Sequence, residues 1–262
     1  MLNLDGAFGR EIAAGWSDRS RMVGYGLGER PERLERFVWG EGLELTPAGL
    51  NLRIRSSWGD GELRAGLLGR FNASNLLATL ATLLALELPL AEALARVGRS
   101  ATAPGRMERL GGGPGEPLAV IDYAHTPHAL EQALIALREH GGGRLWCVFG
   151  CGGDRDAGKR PLMGAAAERL ADRAIVTDDN PRTEEPERIV AGILAGMRQP
   201  AAATVIRDRR AAILHALAEA EAGDIVLIAG KGHEDYQIVG TERLPFSDRA
   251  VALDGLSIKI KT

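Results

Sequence analysis

A ten-residue polar stretch, TDDNPRTEEP at residues 177–186, carries side chains suited to holding a small charged molecule. Asp179 offers an oxygen acceptor for an ammonium group, Asn180 an adaptable amide, and Arg182 a fork of donors for a carboxylate. Pro181 restricts the backbone between them. D-N-P is also common in solvated turns. The stretch by itself therefore predicts either a site for a zwitterionic amino acid or a plain turn.

The elements around this stretch favour the binding-site interpretation. Before it, the apolar run 173–176 is typical of a buried parallel strand. After it, apolar residues recur at helical spacing from Ile189 to Met197, and Thr183 is a candidate N-cap for that helix. Loops that follow parallel strands face the ligand crevice of an open α/β sheet.

Three more loops with the same placement are rich in functional groups: DYAHTP (122–127), GCGGDRDAGKRP (150–161) and GKGHED (230–235). In the first, Asp122 can accept hydrogen bonds from ribose hydroxyls. His125 can contact phosphate or transfer a proton. A purely structural histidine, hydrogen-bonded near the start of a helix, is an equally good interpretation. Four such loops at one sheet edge predict a binding site.

The loop GKGHED offers both backbone access and charge. Gly230 permits close approach of a ligand, and Glu234 can accept an ammonium group. For Lys231 and His233, a flexible loop with exposed charge is the alternative.

The loop at 150–161 approaches a nucleotide-binding P-loop without fitting one. GDRDAGK matches G-x-x-x-x-G-K, but Arg160 stands where a hydroxyl should bind Mg²⁺. Asp154 and Asp156 place carboxylates where backbone amides should hold phosphate. We therefore reject a P-loop here and expect Arg155 to act as a second carboxylate fork, with Lys159 as a helper. A network of salt bridges within the loop is the alternative.

Composition and charge bound the class of protein. The 262 residues are 45% hydrophobic and 26% charged, with a net charge of −3, which argues against a general nucleic-acid binder. There is no apolar run of about 18 residues and no signal-peptide core, so we expect a cytoplasmic protein without membrane contact. The two cysteines, Cys147 and Cys151, are expected to be buried thiols rather than zinc ligands.

The chain changes character near the breaker pair Pro104-Gly105. Upstream, Asp60-Gly61 predicts the turn of a β-hairpin. The other elements expected there are three strands and two helices, at residues 37–39, 50–56, 62–68, 71–86 and 90–97.

Downstream, strands alternate with helices. The predicted strands span residues 118–121, 144–149, 173–176, 204–206 and 224–229. The predicted helices span residues 127–140, 160–171, 189–197 and 209–222, and a last one begins near 247. The alternation predicts an α/β fold with a Rossmann-like, doubly wound, mostly parallel sheet of about five or six strands.

Six motifs in order resemble the Mur ligase family: FNASN (71–75), GRME (105–108), DYAHTP, GCGGDRDAGKRP, DDNPRTEEP (178–186) and AGKGHEDYQIVG (229–240). The sequence is most similar to members that add meso-diaminopimelate, which DNPR marks. The resemblance implies that residues 1–103 are the carboxyl-terminal portion of the central ATPase domain. It implies that residues 104–262 are the Rossmann-like, amino-acid-binding carboxyl-terminal domain.

The resemblance also implies roles for individual residues. The positions matching the meso-diaminopimelate site are Arg155, Asp179, Asn180, Pro181, Arg182, Gly230 and Glu234. The arginines would engage the carboxylates, while Asp179, Asn180 and Glu234 would hold the ammonium end. The positions matching ATP contacts are Asn75, Arg106, Asp122 and His125.

The reaction implied is ATP-dependent amide ligation in peptidoglycan precursor synthesis. ATP would phosphorylate the D-glutamate carboxylate of UDP-N-acetylmuramoyl-L-alanyl-D-glutamate, and the diaminopimelate amine would attack the acyl phosphate. The family's P-loop, carbamylated lysine and Mg²⁺ ligands have no counterpart here. We therefore assign no catalytic or metal-binding residue, and we expect no ligation by this chain without the missing amino-terminal half.

Two other functions stay open. One is a non-catalytic diaminopimelate-binding module that needs a partner chain. The other is a related ligase such as a folylpolyglutamate synthase, although DNPR argues against it because glutamate has no second amino-acid centre for this loop to recognise.

Overall fold

The computed structural model describes residues 1–18, 21–31 and 34–259. The chain divides into two compact units, Met1–Ala101 and Thr102–Thr262. The boundary expected from the sequence lay after residue 103. Among the described residues, no helix combines the length and the apolar content needed to cross a bilayer.

The described residues of the first unit form a five-stranded sheet with three α-helices. Its elements are β1 (Leu2–Asn3), α1 (Ala7–Gly15), β2 (Gly24–Gly26), β3 (Phe37–Thr46), β4 (Gly49–Ser56), β5 (Gly59–Ala65), α2 (Arg70–Ala85) and α3 (Leu90–Gly98). The strands lie in chain order, with β1, β2 and β3 parallel and β3, β4 and β5 antiparallel. Leu76, Leu77 and Leu80 on α2 join the core of this unit. Helix α1 buries none of its residues, and Phe8 on it is 74% exposed.

The predicted hairpin is present, but its turn was misplaced. Asp60 pairs with Arg55 inside the β4–β5 ladder, so Asp60-Gly61 is strand rather than turn. The turn lies just before Gly59, which has a φ of 119°. The Ser56 hydroxyl donates to the Gly59 carbonyl at 2.6 Å and accepts from the backbone N–H of Trp58 at 3.1 Å. These side-chain bonds determine where the turn forms.

The second unit is the expected parallel α/β sheet. Its elements are β6 (Glu108–Gly111), β7 (Leu118–Asp122), α4 (Pro127–Arg138), β8 (Leu145–Phe149), α5 (Lys159–Leu170), β9 (Arg173–Val176), α6 (Pro186–Leu194), β10 (Thr204–Val205), α7 (Arg209–Glu219), β11 (Ile225–Ala229), β12 (Tyr236–Val239), β13 (Glu242–Pro245) and α8 (Asp248–Lys259). The main sheet has the order β10-β9-β8-β11-β7-β6, and only β6 runs antiparallel. Strand β6 and the β12–β13 hairpin were not predicted.

The register of the parallel strands brings their carboxyl ends level. Ala229 at the end of β11 pairs with Asp122 at the end of β7. Phe149 at the end of β8 pairs with Val176 at the end of β9. Because β11 also pairs with β8, the four polar loops that follow these strands leave the same edge of the sheet.

A buried ion pair ties α7 and α8 to that edge. The Arg209 guanidinium donates from Nε and Nη2 to the two Asp248 carboxylate oxygens, each at 2.7 Å, and from Nη2 to the Ala229 carbonyl at 2.9 Å. Both side chains are 0% exposed. Burial disfavours the charged guanidinium, but Asp248 outweighs that effect, so the pKa of Arg209 is raised.

We expect Asp248→Ala to lower the free energy of unfolding by about 3–5 kcal/mol, because it leaves a buried guanidinium without its counter-charge. Urea titration measures the change. Arg210 and Asp254 form an exposed pair on the same two helices, with side chains 53% and 55% exposed. Asp254→Ala is the matched control and should cost at most about 1 kcal/mol. Equal losses in the two variants would contradict this role for the buried pair.

Candidate functional site

The loop after β9 is paired with β12 like an additional short strand. The Arg182 N–H donates to the Ile238 carbonyl at 3.1 Å, and the Gly240 N–H donates to the Arg182 carbonyl at 2.8 Å. The Ile238 N–H also donates to the Asn180 side-chain oxygen at 2.9 Å. The β12–β13 hairpin therefore holds the DNPR segment along its length.

The loop after β8 packs against the same segment from its other side. The Gly153 N–H donates to the Asn180 carbonyl at 2.9 Å, and Arg182 Nη1 donates to the Gly153 carbonyl at 2.9 Å. A Cβ atom at Gly153 would lie 1.9 Å from the Pro181 carbonyl oxygen. Only glycine allows the two loops to approach this closely.

Side chains also join these two loops. Arg160 donates to both Glu184 oxygens, at 2.7 and 2.6 Å, and this hydrogen bonding lowers the pKa of Glu184. The Asp154 carboxylate accepts from the Thr183 N–H at 3.0 Å and its hydroxyl at 2.9 Å. The prediction of Thr183 as a helix N-cap is wrong, because α6 begins at Pro186.

Two residues that join the loops have strained backbones. Asp154 has a φ of 52° and Arg182 a φ of 54°, in the left-handed region that L residues rarely adopt. Such conformations cost about 1–3 kcal/mol each and concentrate at functional sites. The hydrogen bonds between the loops offset this cost and keep the Arg182 side chain directed toward the loop after β8.

The side chains of Arg155 and Arg182 both pass close to Gly152. A Cβ atom at Gly152 would lie 2.8 Å from Arg182 Nη1 and 3.7 Å from Arg155 Cγ. Arg155 is exposed and forms no hydrogen bond or ion pair with the described residues. Arg182 makes its side-chain bonds to those residues through Nη1 alone, which leaves the Nε–Nη2 edge as a fork for a carboxylate.

On the other side of Asn180 lies a cluster of charges built around Lys231. The Lys231 ammonium donates to Asn180 Oδ1 at 2.9 Å, to Glu234 Oε2 at 3.1 Å and to Asp179 Oδ1 at 3.4 Å. It also lies 5.5 Å from the centre of the Tyr236 ring. The exposed-charge alternative for Lys231 is wrong, since its side chain is 0% exposed. His233 is exposed.

This arrangement changes the role that Asn180 can have. Its side-chain oxygen accepts from both Lys231 and Ile238, which uses both lone pairs, and its nitrogen donates to Glu234 Oε2 at 3.1 Å. An ammonium group from outside would therefore have to meet the carboxylates of Asp179 and Glu234. Two carboxylates against one ammonium leave the cluster with one surplus negative charge.

The carboxylate of Glu234 is the more accessible of the two, with a side chain 17% exposed against 9% for Asp179. Gly230 lies beside Asp179, because a Cβ atom there would be 3.2 Å from Asp179 Oδ2. Gly230 has a φ of 117° and donates its N–H to the Asp122 carbonyl at 3.1 Å. Six of the residues predicted to bind an amino acid thus form one chain of contacts, and Arg155 adjoins it at Gly152.

Three of the four residues predicted to contact ATP, Arg106, Asp122 and His125, form a second group around Tyr123 in the second unit. The Arg106 guanidinium lies 4.9 Å from the centre of the Tyr123 ring, and the His125 ring centre lies 4.6 Å from it. His125 Nδ1 lies 2.8 Å from the Tyr123 carbonyl, which can only accept, so Nδ1 carries the proton and Nε2 is left for a ligand. Lys159 donates to the His125 carbonyl at 2.8 Å.

Asp122 and Asn75 both have partners within their own units. The Asp122 oxygens accept from the backbone N–H groups of Met107 and Ala124, each at 2.8 Å. Burial raises the pKa of Asp122 despite these bonds. Asn75 lies on α2 of the first unit, where its amide donates to the Asn72 side-chain oxygen at 3.2 Å.

The cysteines are buried thiols, as expected, and burial raises the pKa of Cys151 to about 12. Within residues 1–18, 21–31 and 34–259, no group of three or more His, Cys, Asp or Glu side chains is arranged to hold a metal ion.

Gly153→Ala should separate the two loops, because the added methyl group would overlap the Pro181 carbonyl. We expect a loss of about 1–3 kcal/mol in the free energy of unfolding, measured by urea titration. Gly142→Ala is the control, since no atom lies within 4 Å of its added methyl group. It should change stability by less than about 1 kcal/mol in either direction. A Gly153→Ala protein as stable as the control would show that the loops do not depend on this contact.

The sequence of the second unit matches a known family. Residues 105–232 match the family model described as "Mur ligase, glutamate ligase domain". The UDP-N-acetylmuramoyl-L-alanyl-D-glutamate--2,6-diaminopimelate ligase of Chromobacterium violaceum is 52% identical over 263 residues, which cover 98% of this chain and 51% of that protein. The ligase of the same name from Alkalilimnicola ehrlichii is 49% identical and is matched over 50% of its length.

A solved structure agrees with these relatives. The structure of a UDP-N-acetylmuramoyl-L-alanyl-D-glutamate--2,6-diaminopimelate ligase superposes with a TM-score of 0.79 at 38% identity, covering 99% of this chain and 53% of the other. The chain spans about half the length of the curated relatives it matches. With the match at 105–232 and the parallel sheet on which those residues lie, the second unit belongs to the Mur ligase family.

Proposed function

We propose that this chain supplies the amino-acid-binding part of an ATP-dependent ligase that joins meso-diaminopimelate to UDP-N-acetylmuramoyl-L-alanyl-D-glutamate in peptidoglycan precursor synthesis. One observation carries the proposal. The DNPR segment joins the Arg182 guanidinium, which Arg155 adjoins at Gly152, to a cluster with a surplus negative charge on the other side. The cytoplasm, where nucleotide-linked precursors are made, is the proposed location.

The charges of this site complement those of the proposed ligand. Diaminopimelate carries an amino group and a carboxylate at each end. The two arginines can each take a carboxylate in a charge-assisted bond. The single surplus charge at Asp179 and Glu234 can hold one ammonium group, so the second amine stays outside the cluster. That amine must lose its proton to act as a nucleophile, and a group held between carboxylates would keep it.

The contribution of this chain to the reaction would be to position that amine. Arg182 is anchored through Nη1 to the loop after β8, and its own loop, after β9, is paired with β12. A bound amino acid would therefore meet a rigid surface. Holding two reactants in the right geometry can lower a barrier by about 7–11 kcal/mol. The amine would attack a carboxylate that ATP has activated by phosphorylation.

For ATP, the donor set of the second group fits a phosphate or ribose ligand. Arg106 is an exposed cation, and His125 offers Nε2. Asp122 already accepts two backbone N–H groups, so a ribose hydroxyl would share an oxygen that is partly used. Asn75, which lies in the first unit, stays a prediction from the sequence. Magnesium would be bound together with ATP, and none of the described residues is proposed as its ligand.

The proposal predicts that Arg182→Ala weakens diaminopimelate far more than L-lysine, because lysine has no distal carboxylate to lose. Losing a hydrogen-bonded charge pair should cost about 1.5–3 kcal/mol, or roughly tenfold to a hundredfold in affinity. Isothermal titration calorimetry with both ligands on the purified chain measures this. The lysine affinity should change less than about threefold.

Arg173→Ala is the matched control, because Arg173 is exposed at the opposite end of β9. It should leave both affinities unchanged. Equal losses for the two ligands in Arg182→Ala would refute the assignment of Arg182 to the distal carboxylate. Absence of diaminopimelate binding by the unmodified chain would refute the proposed function itself.

A further inference from the structure

We propose that Lys231 is a positioning residue that provides the site with a built-in ammonium ion and so limits it to one ligand ammonium. The inference rests on the proposed function. It gives a role to a residue that is not among those assigned above to ligand contact. Its basis is geometric: Lys231 lies wholly inside the group of residues expected to accept a ligand ammonium.

The surroundings of Lys231 are those of a bound ammonium ion. Its Nζ atom faces three oxygen acceptors and the Tyr236 ring, and its side chain is 0% exposed. Carboxylate, amide and aromatic groups are the partners that protein sites use to hold ammonium ligands. Here the bound ammonium belongs to the chain itself.

The partners of Lys231 come from two different loops. Asp179 and Asn180 follow β9, whereas Glu234 follows β11 together with Lys231. The ammonium neutralises one carboxylate charge and engages Oε2 of Glu234, which also accepts from Asn180. Lys231 thereby sets the distance between the two loops and the orientation of both carboxylates.

The consequence is a defined charge for the ligand. With Lys231 in place, Asp179 and Glu234 have one negative charge left, which matches one ammonium group. Without it, two largely buried carboxylates would lie beside Asn180 and lack the ammonium to which both are now bound. Like charges in a buried site are strongly unfavourable. The vacated space would then suit an alkylammonium ion from solution.

Chemical rescue tests this role. Lys231→Ala removes the three outer carbons and the nitrogen of the side chain, so n-propylammonium has the shape of the missing part. We expect Lys231→Ala to bind diaminopimelate at least about tenfold more weakly by calorimetry. Adding n-propylammonium chloride should recover a substantial part of that loss. Equal concentrations of n-propanol or sodium chloride should not, and n-propylammonium should leave the unmodified chain unaffected.

Lys231→Met separates the ammonium from the bulk of the side chain. Methionine fills the space without a charge, so this variant should lose affinity as Lys231→Ala does but resist rescue. Binding by Lys231→Met as tight as that of the unmodified chain would overturn the inference, and so would failure of n-propylammonium to restore binding to a folded Lys231→Ala. If the unmodified chain itself does not bind diaminopimelate, the proposed function fails instead.

A measurement on the unmodified chain covers the case in which the variants do not fold. The chain has four lysines, so few side-chain ammonium signals are expected in a ¹H–¹⁵N spectrum. Replacing Lys159, Lys259 and Lys261 by arginine, one at a time, assigns the other signals and leaves that of Lys231 identified without changing it. A buried, hydrogen-bonded ammonium exchanges slowly with water and gives a visible signal. That signal should move when diaminopimelate saturates the chain. A signal that stays in place at saturation would overturn the proposal.

Discussion

The parallel pairing of β7, β11, β8 and β9 in level register is the constraint on which the site depends. Because these strands end together, loops separated by many residues in sequence leave the sheet at one edge. Their backbones then bond to one another, as when Gly153 donates to the Asn180 carbonyl. A sheet with the same strands in shifted register would spread the same side chains over different faces.

Most charges near this edge are paired within the protein. Arg207 donates from Nε and Nη2 to Asp178, at 2.7 and 2.9 Å, and Arg160 is paired with Glu184. The charged groups around the DNPR segment that keep bonding capacity include the fork of Arg182, the exposed Arg155 and one surplus negative charge at the Lys231 cluster. The residual pattern, positive on one side and negative on the other, is the complement of an amino acid.

The backbone strain at Asp154 and Arg182 fits this arrangement. A left-handed residue in an isolated loop would relax, and here the hydrogen bonds to Thr183 and Gly153 prevent it. Part of the folding energy of the unit is thereby used to keep a guanidinium in a fixed place, where the proposed ligand would meet it. Such preorganisation reduces the entropy lost on binding.

The alternation of apolar strands with amphipathic helices was sufficient to predict the second unit, because each element carries its own period in the sequence. Strand ends follow from those periods, so Asp179, Arg182 and Glu234 could be assigned to loops at one edge. The six motifs, in their order along the chain, indicated the Mur ligase family. Hairpin β12–β13 was missed because its strands are short and show no alternation of buried and exposed residues: β12 is mostly half-buried and β13 is exposed throughout.

Contacts between distant segments were decided only by the tertiary structure. Lys231 in a glycine-rich loop resembles a solvated charge, and the oxygen atoms that bury it include those of Asp179 and Asn180, which lie 52 and 51 residues earlier. Thr183 resembles a helix cap until Asp154 from another loop reaches it. Local sequence determined which side chains stand at the edge of the sheet. The packing of one loop on another decided which of them are left for a ligand, since a hydrogen-bonding group that is satisfied internally is no longer available to one.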